Sequence, residues 1–379
     1  MGKRAANGMG SIRQRPDGRW EARYTAPDGR QHSVFARTQK EVSAKLKAVL
    51  QQVDGGAWRE PSTMTVGGWL EIWLTDYQGR NTARTLQKYR GVTEKWFVPV
   101  LGEIKLTKLL PLHVRRLMTR MGGLSPTSVR NYIRILSSAL ECAIEAGLIT
   151  KNPCDGVPCP RAQDTVMHII DRADIPAFLT AVKGTKYANE LTLMLYTGMR
   201  SGEMRGLRWS DIDFEAGTIN VQRQLHPIID GTRTFAPPKY GETRLIHVPD
   251  EVMAILRDQK RKQAEQRLAY GGWEDDDLTR DLVFRQRNGK AHTVETIRRS
   301  LSRVGKAIGQ PDLHPHDLRH SYAVAALRSG ADVKTVQHNL GHKTAGMTLD
   351  VYAAYTADAG KAGASMLSEY IKNAQKKSD

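Results

Sequence analysis

Residues 314–355 read HPHDLRHSYAVAALRSGADVKTVQHNLGHKTAGMTLDVYAAY, and the reading of the whole chain turns on them. His316 and Arg319 stand three residues apart, which on a helix puts them on one face. Gly341 and His342 follow a helical run, and Tyr352 comes ten residues after His342. Neither a glycine-rich phosphate cradle nor a cluster of carboxylates accompanies them. Chemistry at a phosphodiester without a metal needs fixed cations, proton donors and a nucleophile around the phosphorus. A guanidinium fork, imidazoles and a phenol are such a set.

The 379 residues are enough for two or three domains. A formal net charge of +17 favours a polyanionic partner, most often nucleic acid; the plain alternative is a merely basic soluble protein. Cys142, Cys154 and Cys159 include no C-x-x-C pair, so they suggest neither a disulfide framework nor a zinc knuckle, and a reducing interior fits. No apolar run reaches the roughly 18 residues of a membrane span. The opening MGKRAANGMGSIRQR lacks the apolar core of a signal peptide, so no membrane partner is expected.

A multidomain α+β chain is expected, in three parts. Residues 1–56 read as a small module in which Asp17-Gly18 and Asp28-Gly29 turn between three short strands. In the second strand Trp20, Ala22 and Tyr24 alternate with Arg19, Glu21 and Arg23, so one face packs and the other stays largely basic. Thr38 and Glu41 form a capping box for a helix with the stripe Val42, Leu46, Val49, Leu50 and Val53. Such a sheet can lie in a DNA groove, or it can be an ordinary surface sheet with solvated arginines.

Gly55-Gly56 through Pro61-Ser62 reads as a linker. Residues 62–160 read as an all-α, four-helix domain. Its second helix turns Leu86, Tyr89, Thr93 and Trp96 inward, and its fourth starts at Ser125-Pro126 and ends at Gly147. Basic residues on several of these helices suit phosphate contacts, although any single one is equally a solvated side chain. Residues 165–379 read as a mainly α domain with a small antiparallel sheet. There Leu191 to Tyr196 is a helical run ending at Thr197-Gly198. Thr232–Pro238 and Arg244–Val248 are expected to form a hairpin closed by Lys239-Tyr240-Gly241-Glu242. The tail after Ala357 reads as helical.

These residues together resemble the tyrosine recombinases, or phage-integrase family. The match is ordered: Arg200 in TGMRSGE, Lys239 in PPKYGETRLIHVP, His316 and Arg319 in HDLRH, His342 in LGH, Tyr352 in TLDVY. Each motif is a moderate signal, and their order and spacing make a strong one. Residues 62–160 resemble the family's core-binding domain, and residues 1–56 its arm-binding domain. The family often has Thr after its hairpin lysine, where this chain has Tyr240.

The resemblance implies a site-specific DNA recombinase, the integrase of a phage or mobile element, needing no cofactor and no metal. Tyr352 would attack the scissile phosphate to give a 3′-phosphotyrosyl link and a free 5′-hydroxyl, and two such rounds would pass through a Holliday junction. Arg200 and Arg319 would grip the non-bridging oxygens, with Glu203 as a structural supporter. Lys239 would protonate the leaving 5′-oxygen, His316 would assist proton transfer and His342 would donate to a phosphate oxygen. Implied partners are double-stranded DNA attachment sites, a homotetramer on the DNA, a host DNA-bending protein and an excisionase, in the cytoplasm of a bacterial host. Competing residues are Lys290 for Lys239, Tyr355 for Tyr352, and His320, which with His316 could make a metal pair. Competing functions are a type IB topoisomerase, a non-catalytic DNA-binding protein and a metal-dependent nuclease, the last lacking its carboxylates.

Overall fold

The computed structural model describes residues 10–353 except 28, 56–62, 78, 80, 162–166, 229–231, 240, 242 and 274, and only the backbone at 352 and 353. The linker and the tail after Ala357 lie outside the described residues. The chain divides into two compact units, residues 1–163 and 164–379.

In the first unit, β1 (Ser11–Gln14), β2 (Trp20–Thr25) and β3 (Gln31–Ala36) form an antiparallel sheet in that order. Gly18 makes the first turn at φ +81, a left-handed conformation that favours glycine. Helix α1 (Gln39–Asp54) starts at Thr38, whose hydroxyl accepts the Glu41 N–H at 3.3 Å. Val42 and Leu46 pack on Ala22 and Tyr24, forming a core of the module's own. The opposite sheet face is less simply basic than its sequence suggests. Glu21 is buried there and accepts from Arg13 Nε at 2.7 Å, Arg23 Nε at 3.1 Å and Ser33 Oγ at 2.9 Å. These donors, Arg13 foremost, hold its carboxyl down at about 2.

Helices α2 (Val66–Asp76), α3 (Ala83–Val92), α4 (Val98–Leu101), α5 (Pro111–Arg120) and α6 (Pro126–Glu145) enclose a second core. Thr65, Thr82 and Ser125 cap α2, α3 and α6 by accepting backbone N–H groups. Trp69 and Trp73 fill the centre, and Trp69 Nε1 donates to the Ala139 carbonyl at 2.7 Å. Burial of each such side chain contributes on the order of 2 kcal/mol. A π turn, Thr93–Phe97, joins α3 to α4. Its extra residue rotates the inward face. Val92, Thr93 and Phe97 are buried, whereas Leu86, Tyr89 and Trp96 are only half-buried.

The second unit contains helices α7 (Ile175–Lys183), α8 (Ala188–Thr197) and α9 (Ser201–Arg205). Five short strands follow: β4 (Ile212–Asp213), β5 (Thr218–Val221), β6 (Gln224–Leu225), β7 (Phe235–Ala236) and β8 (Arg244–His247). Then come α10 (Asp250–Ala269), α11 (Val294–Ala307), α12 (Pro315–Arg328), α13 (Val333–Leu340) and α14 (Ala345–Ala353). The strands make two antiparallel sheets, β4-β5-β8 and β6-β7. The expected hairpin is therefore corrected: β7 pairs with β6 and β8 with β5. Pro237 and Pro238 carry no N–H for a ladder, so β7 stops at Ala236. The Lys239 segment connects two sheets instead of closing one.

Leu191, Met194, Phe178, Phe284, Leu301 and Leu318 belong to the main core of this unit. Ile169, Val324, Val336, Leu340 and Val351 make a smaller one that holds α14 against α12 and α13. No described helix is long and apolar enough to cross a membrane.

Candidate active site

Helix ends build the site. Helix α8 stops at Gly198, φ +62, and Arg200 follows as the residue that opens α9. Helix α12 carries His316, Arg319 and His320, and α13 stops at Gly341, φ +60, immediately before His342. A side chain at Gly198 would collide with its neighbours, and one at Gly341 would crowd Arg244. A Cβ at Gly198 would lie 2.6 Å from Leu340 Cδ2 and Tyr322 Cδ1, and one at Gly341 would lie 3.1 Å from Arg244 Nη1.

Three guanidinium groups close on three successive carbonyls at the end of α13. Arg244 Nε donates to Asn339 at 2.7 Å, Arg319 Nη2 donates to Leu340, and Arg200 Nη2 donates to Gly341 at 3.1 Å. Arg319 Nη1 also donates to the Gly198 carbonyl at 2.9 Å. Carbonyls at a helix end lack intrahelical partners and carry the negative end of the dipole, so they draw cations together.

Glu203 is the counter-charge. It is buried, and its carboxylate accepts four N–H groups. Arg200 supplies its backbone N at 2.9 Å and Nη1 at 2.8 Å; Arg244 supplies Nη1 at 3.1 Å and Nη2 at 2.7 Å. Burial alone lifts a carboxyl, but Arg244 and then Arg200 outweigh it and hold Glu203 below the usual range. Three cations thus face one carboxylate. Arg319, 1% exposed, is pushed down to about 9 by burial and then by Arg200, and at neutral pH it remains a cation.

The imidazoles of His342 and His316 are held neutral at pH 7. Burial first, and then the charges of Arg319 and Arg200, push His342 down to about 3. His342 is buried, with Nδ1 2.9 Å from the fully buried Thr348 hydroxyl. His316 is pushed down to about 4 by burial, then by His320, Arg319, Arg200 and Lys239. His316 as a residue is exposed at the start of α12. The ring stands edge-on to His320 at 4.6 Å. Among the described residues, no three His, Cys, Asp or Glu side chains gather to hold a metal ion.

Arg200, Arg319, His316 and His342 are therefore brought together. Lys239 is exposed between β7 and β8, close enough for its charge to act on His316. Its rival Lys290 sits in a different turn and lines a cavity with Trp273 and Asp275. Tyr352 lies in the last turn of α14, and its side chain, like all of Tyr355, lies outside the described residues. Sequence reading passed over Arg244 and Thr348. Arg244 had a readable signal: with Ile246 it occupies the buried side of an alternating strand, while Leu245 and His247 face out. Thr348 had none beyond its place one turn before Tyr352.

Comparison with known proteins places this geometry. The model of the phage integrase family matches residues 164–358. The N-terminal SAM-like domain of phage integrases matches residues 65–122, and their N-terminal domain matches residues 8–40. The chain belongs to the phage integrase family, the tyrosine-type enzymes of site-specific DNA recombination. It is 28% identical over 362 residues to a putative prophage phiRv2 integrase of Mycobacterium tuberculosis, covering 92% of each chain. A tyrosine recombinase XerC-like protein of Caldanaerobacter subterraneus subsp. tengcongensis is 26% identical over 338 residues, covering 84% of this chain and 86% of that one. Among solved structures, the Tn1549 transposon integrase bound to a circular intermediate DNA aligns with a TM-score of 0.69 at 23% identity, over 80% of this chain and 100% of that one. A lambda integrase tetramer bound to a Holliday junction aligns with a TM-score of 0.56 at 19% identity, over 88% and 95%.

Proposed function

We propose that this recombinase is the integrase of a phage or mobile element, with Tyr352 as its nucleophile and residues 164–379 as its catalytic unit. The observation that carries this reading is the cluster at the end of α13, where three guanidiniums face one carboxylate beside two neutral imidazoles. Such a pocket is under-compensated in charge and suits a phosphodiester.

The phenol oxygen of Tyr352 attacks the scissile phosphorus as the bond from phosphorus to the 5′-oxygen breaks. Arg200 and Arg319 stabilise the charge on the non-bridging oxygens. Lys239 gives a proton to the departing 5′-oxygen, and neutral His316 is fit to take the phenolic one. Neutral His342 donates to a phosphate oxygen through Nε2 if Thr348 donates to Nδ1. The bond energy stays in the protein–DNA ester, and the free 5′-hydroxyl of the partner strand later displaces the tyrosine. Tyr352 comes four residues after Thr348 in the sequence of α14, and Thr348 turns toward His342.

Two such exchanges proceed through a Holliday junction in a homotetramer. Residues 62–160 act as a core-binding domain of four helices, with α3 and α4 counted as one through the π turn, and residues 1–56 bind arm-type sites through the sheet face of Arg13 and Arg23. A host DNA-bending protein and an excisionase set the direction, and the protein works on DNA in the bacterial cytoplasm.

A nicked duplex attachment site in EDTA tests this. The wild-type chain forms a covalent adduct and Tyr352→Phe forms none; an undiminished adduct in Tyr352→Phe moves the nucleophile to Tyr355. Relaxation of supercoils without junction formation would replace the recombinase reading with a topoisomerase one. Deleting residues 1–56 spares core-site cleavage and cripples integration.

A further inference from the structure

Arg244 cannot touch a phosphate from where it stands. Its side chain is 2% exposed and its Nε, Nη1 and Nη2 are all engaged, two of them by the Glu203 carboxylate, whereas the equally buried Arg319 keeps Nε without a hydrogen-bond partner. As a mere stabiliser it is a poor choice, since a buried ion pair is often no better for stability than apolar residues of similar volume. Its partners suggest another use. Glu203 lies against Arg200, and a buried carboxylate there would by itself cancel Arg200's charge. Arg200 gives the carboxylate one guanidinium N–H and its backbone N–H, Arg244 gives it two guanidinium N–H groups, and the Arg200–Glu203–Arg244 group keeps a net positive charge. Arg244 also begins β8, five residues after Lys239, and its Nε fastens that strand to the last turn of α13, three residues before His342. Gly341 leaves room for the guanidinium.

We propose that Arg244 is a positioning residue for strand cleavage. It occupies half of Glu203, so that Arg200 remains available to the phosphate, and it fixes the Lys239 connection against the end of α13. This rests on the phosphate-binding reading of Arg200 given above.

The experiment uses the full chain on nicked attachment-site duplex and measures DNA affinity and single-turnover adduct formation for wild type, Arg244→Met, Arg244→Lys, Glu203→Gln and the Arg244→Met/Glu203→Gln double variant. Arg244→Met is expected to bind DNA within about twofold of wild type and to form adduct on the order of 100-fold more slowly, the size of losing one oriented donor at a charged transition state. Arg244→Lys restores a charge but not a fork, so it is expected to fall between the two. The double variant removes the carboxylate along with its second partner, so its loss is smaller than the product of the single losses. Where Arg244→Met fails to fold, Arg244→Lys carries the test: adduct formation at the wild-type rate overturns the proposal. Fully independent losses in the double variant overturn it as well, because the proposal routes the effect of Arg244 through Glu203. Absence of adduct in the wild-type chain instead sinks the reading of the site on which the proposal rests.

Discussion

Replacing Glu203 by glutamine changes one atom and removes the carboxylate that Arg200 and Arg244 share. Arg200 and Arg244 each lie within 3 Å of that carboxylate, with side chains 15% and 2% exposed. At an effective dielectric of 20, a charge pair about 4 Å apart is worth about 4 kcal/mol, so two partners give a gross loss of about 8 kcal/mol. Relief of the carboxylate's own burial returns several of these, leaving a net loss of about 3–5 kcal/mol, the range seen on breaking buried ion pairs. In a unit of this size, that lowers the melting temperature by roughly 6–20 °C. The sign with pH follows from the depressed carboxyl. The wild-type contribution is complete above pH 4.5 and is lost as pH falls through the lower folded value. Thermal unfolding of Glu203→Gln against wild type, at pH 7 and again near pH 4, measures both effects. A variant that melts with wild type at pH 7 would refute the view that Glu203 holds this pocket together.

His342 gives the next expectation. Its folded value is depressed to about 3 from 6.5, so its contribution to stability is complete above pH 6.5 and is lost as pH falls toward 3. Urea unfolding of wild type and His342→Gln across that range checks this, and an imidazole resonance titrating near 6.5 in the folded protein would contradict it. Thr348→Val deprives buried Nδ1 of its partner; it should cost about 1–3 kcal/mol and slow adduct formation, while Thr348→Ser retains both. Gly198→Ala combines left-handed strain with a Cβ 2.6 Å from Leu340 and Tyr322. Denaturant unfolding should register a loss of about 2–5 kcal/mol.

The sequence was legible where local rules act alone. The helix from Pro126 announced itself by its serine cap and its stripe, and α8 by its glycine stop. The motif residues in HDLRH and LGH could be named because their order resembles that of the phage-integrase family; helical spacing by itself puts only His316 and Arg319 on one face. The β7–β8 pairing was misread because alternation marks strands without naming their partners, and β5 and β6 competed for the edges. The π turn at Thr93–Phe97 was invisible because an inserted residue leaves no trace in a stripe read at 3.6 residues per turn. Arg244 was overlooked because its importance lies in long-range partners, Glu203 and Asn339, separated from it by 41 and 95 residues.

The last turn of α13 is tied down by side chains that are wanted elsewhere. A phosphate entering the pocket would draw on the forks of Arg200 and Arg319, and every donor it takes would slacken the carbonyl of Gly341 or Leu340. Occupancy of the pocket and fraying of that helix end are then one equilibrium seen from two sides. The amides of Gly341 and His342, which close the turn onto His338 and Gln337, become a built-in gauge of bound DNA that proton exchange can read residue by residue.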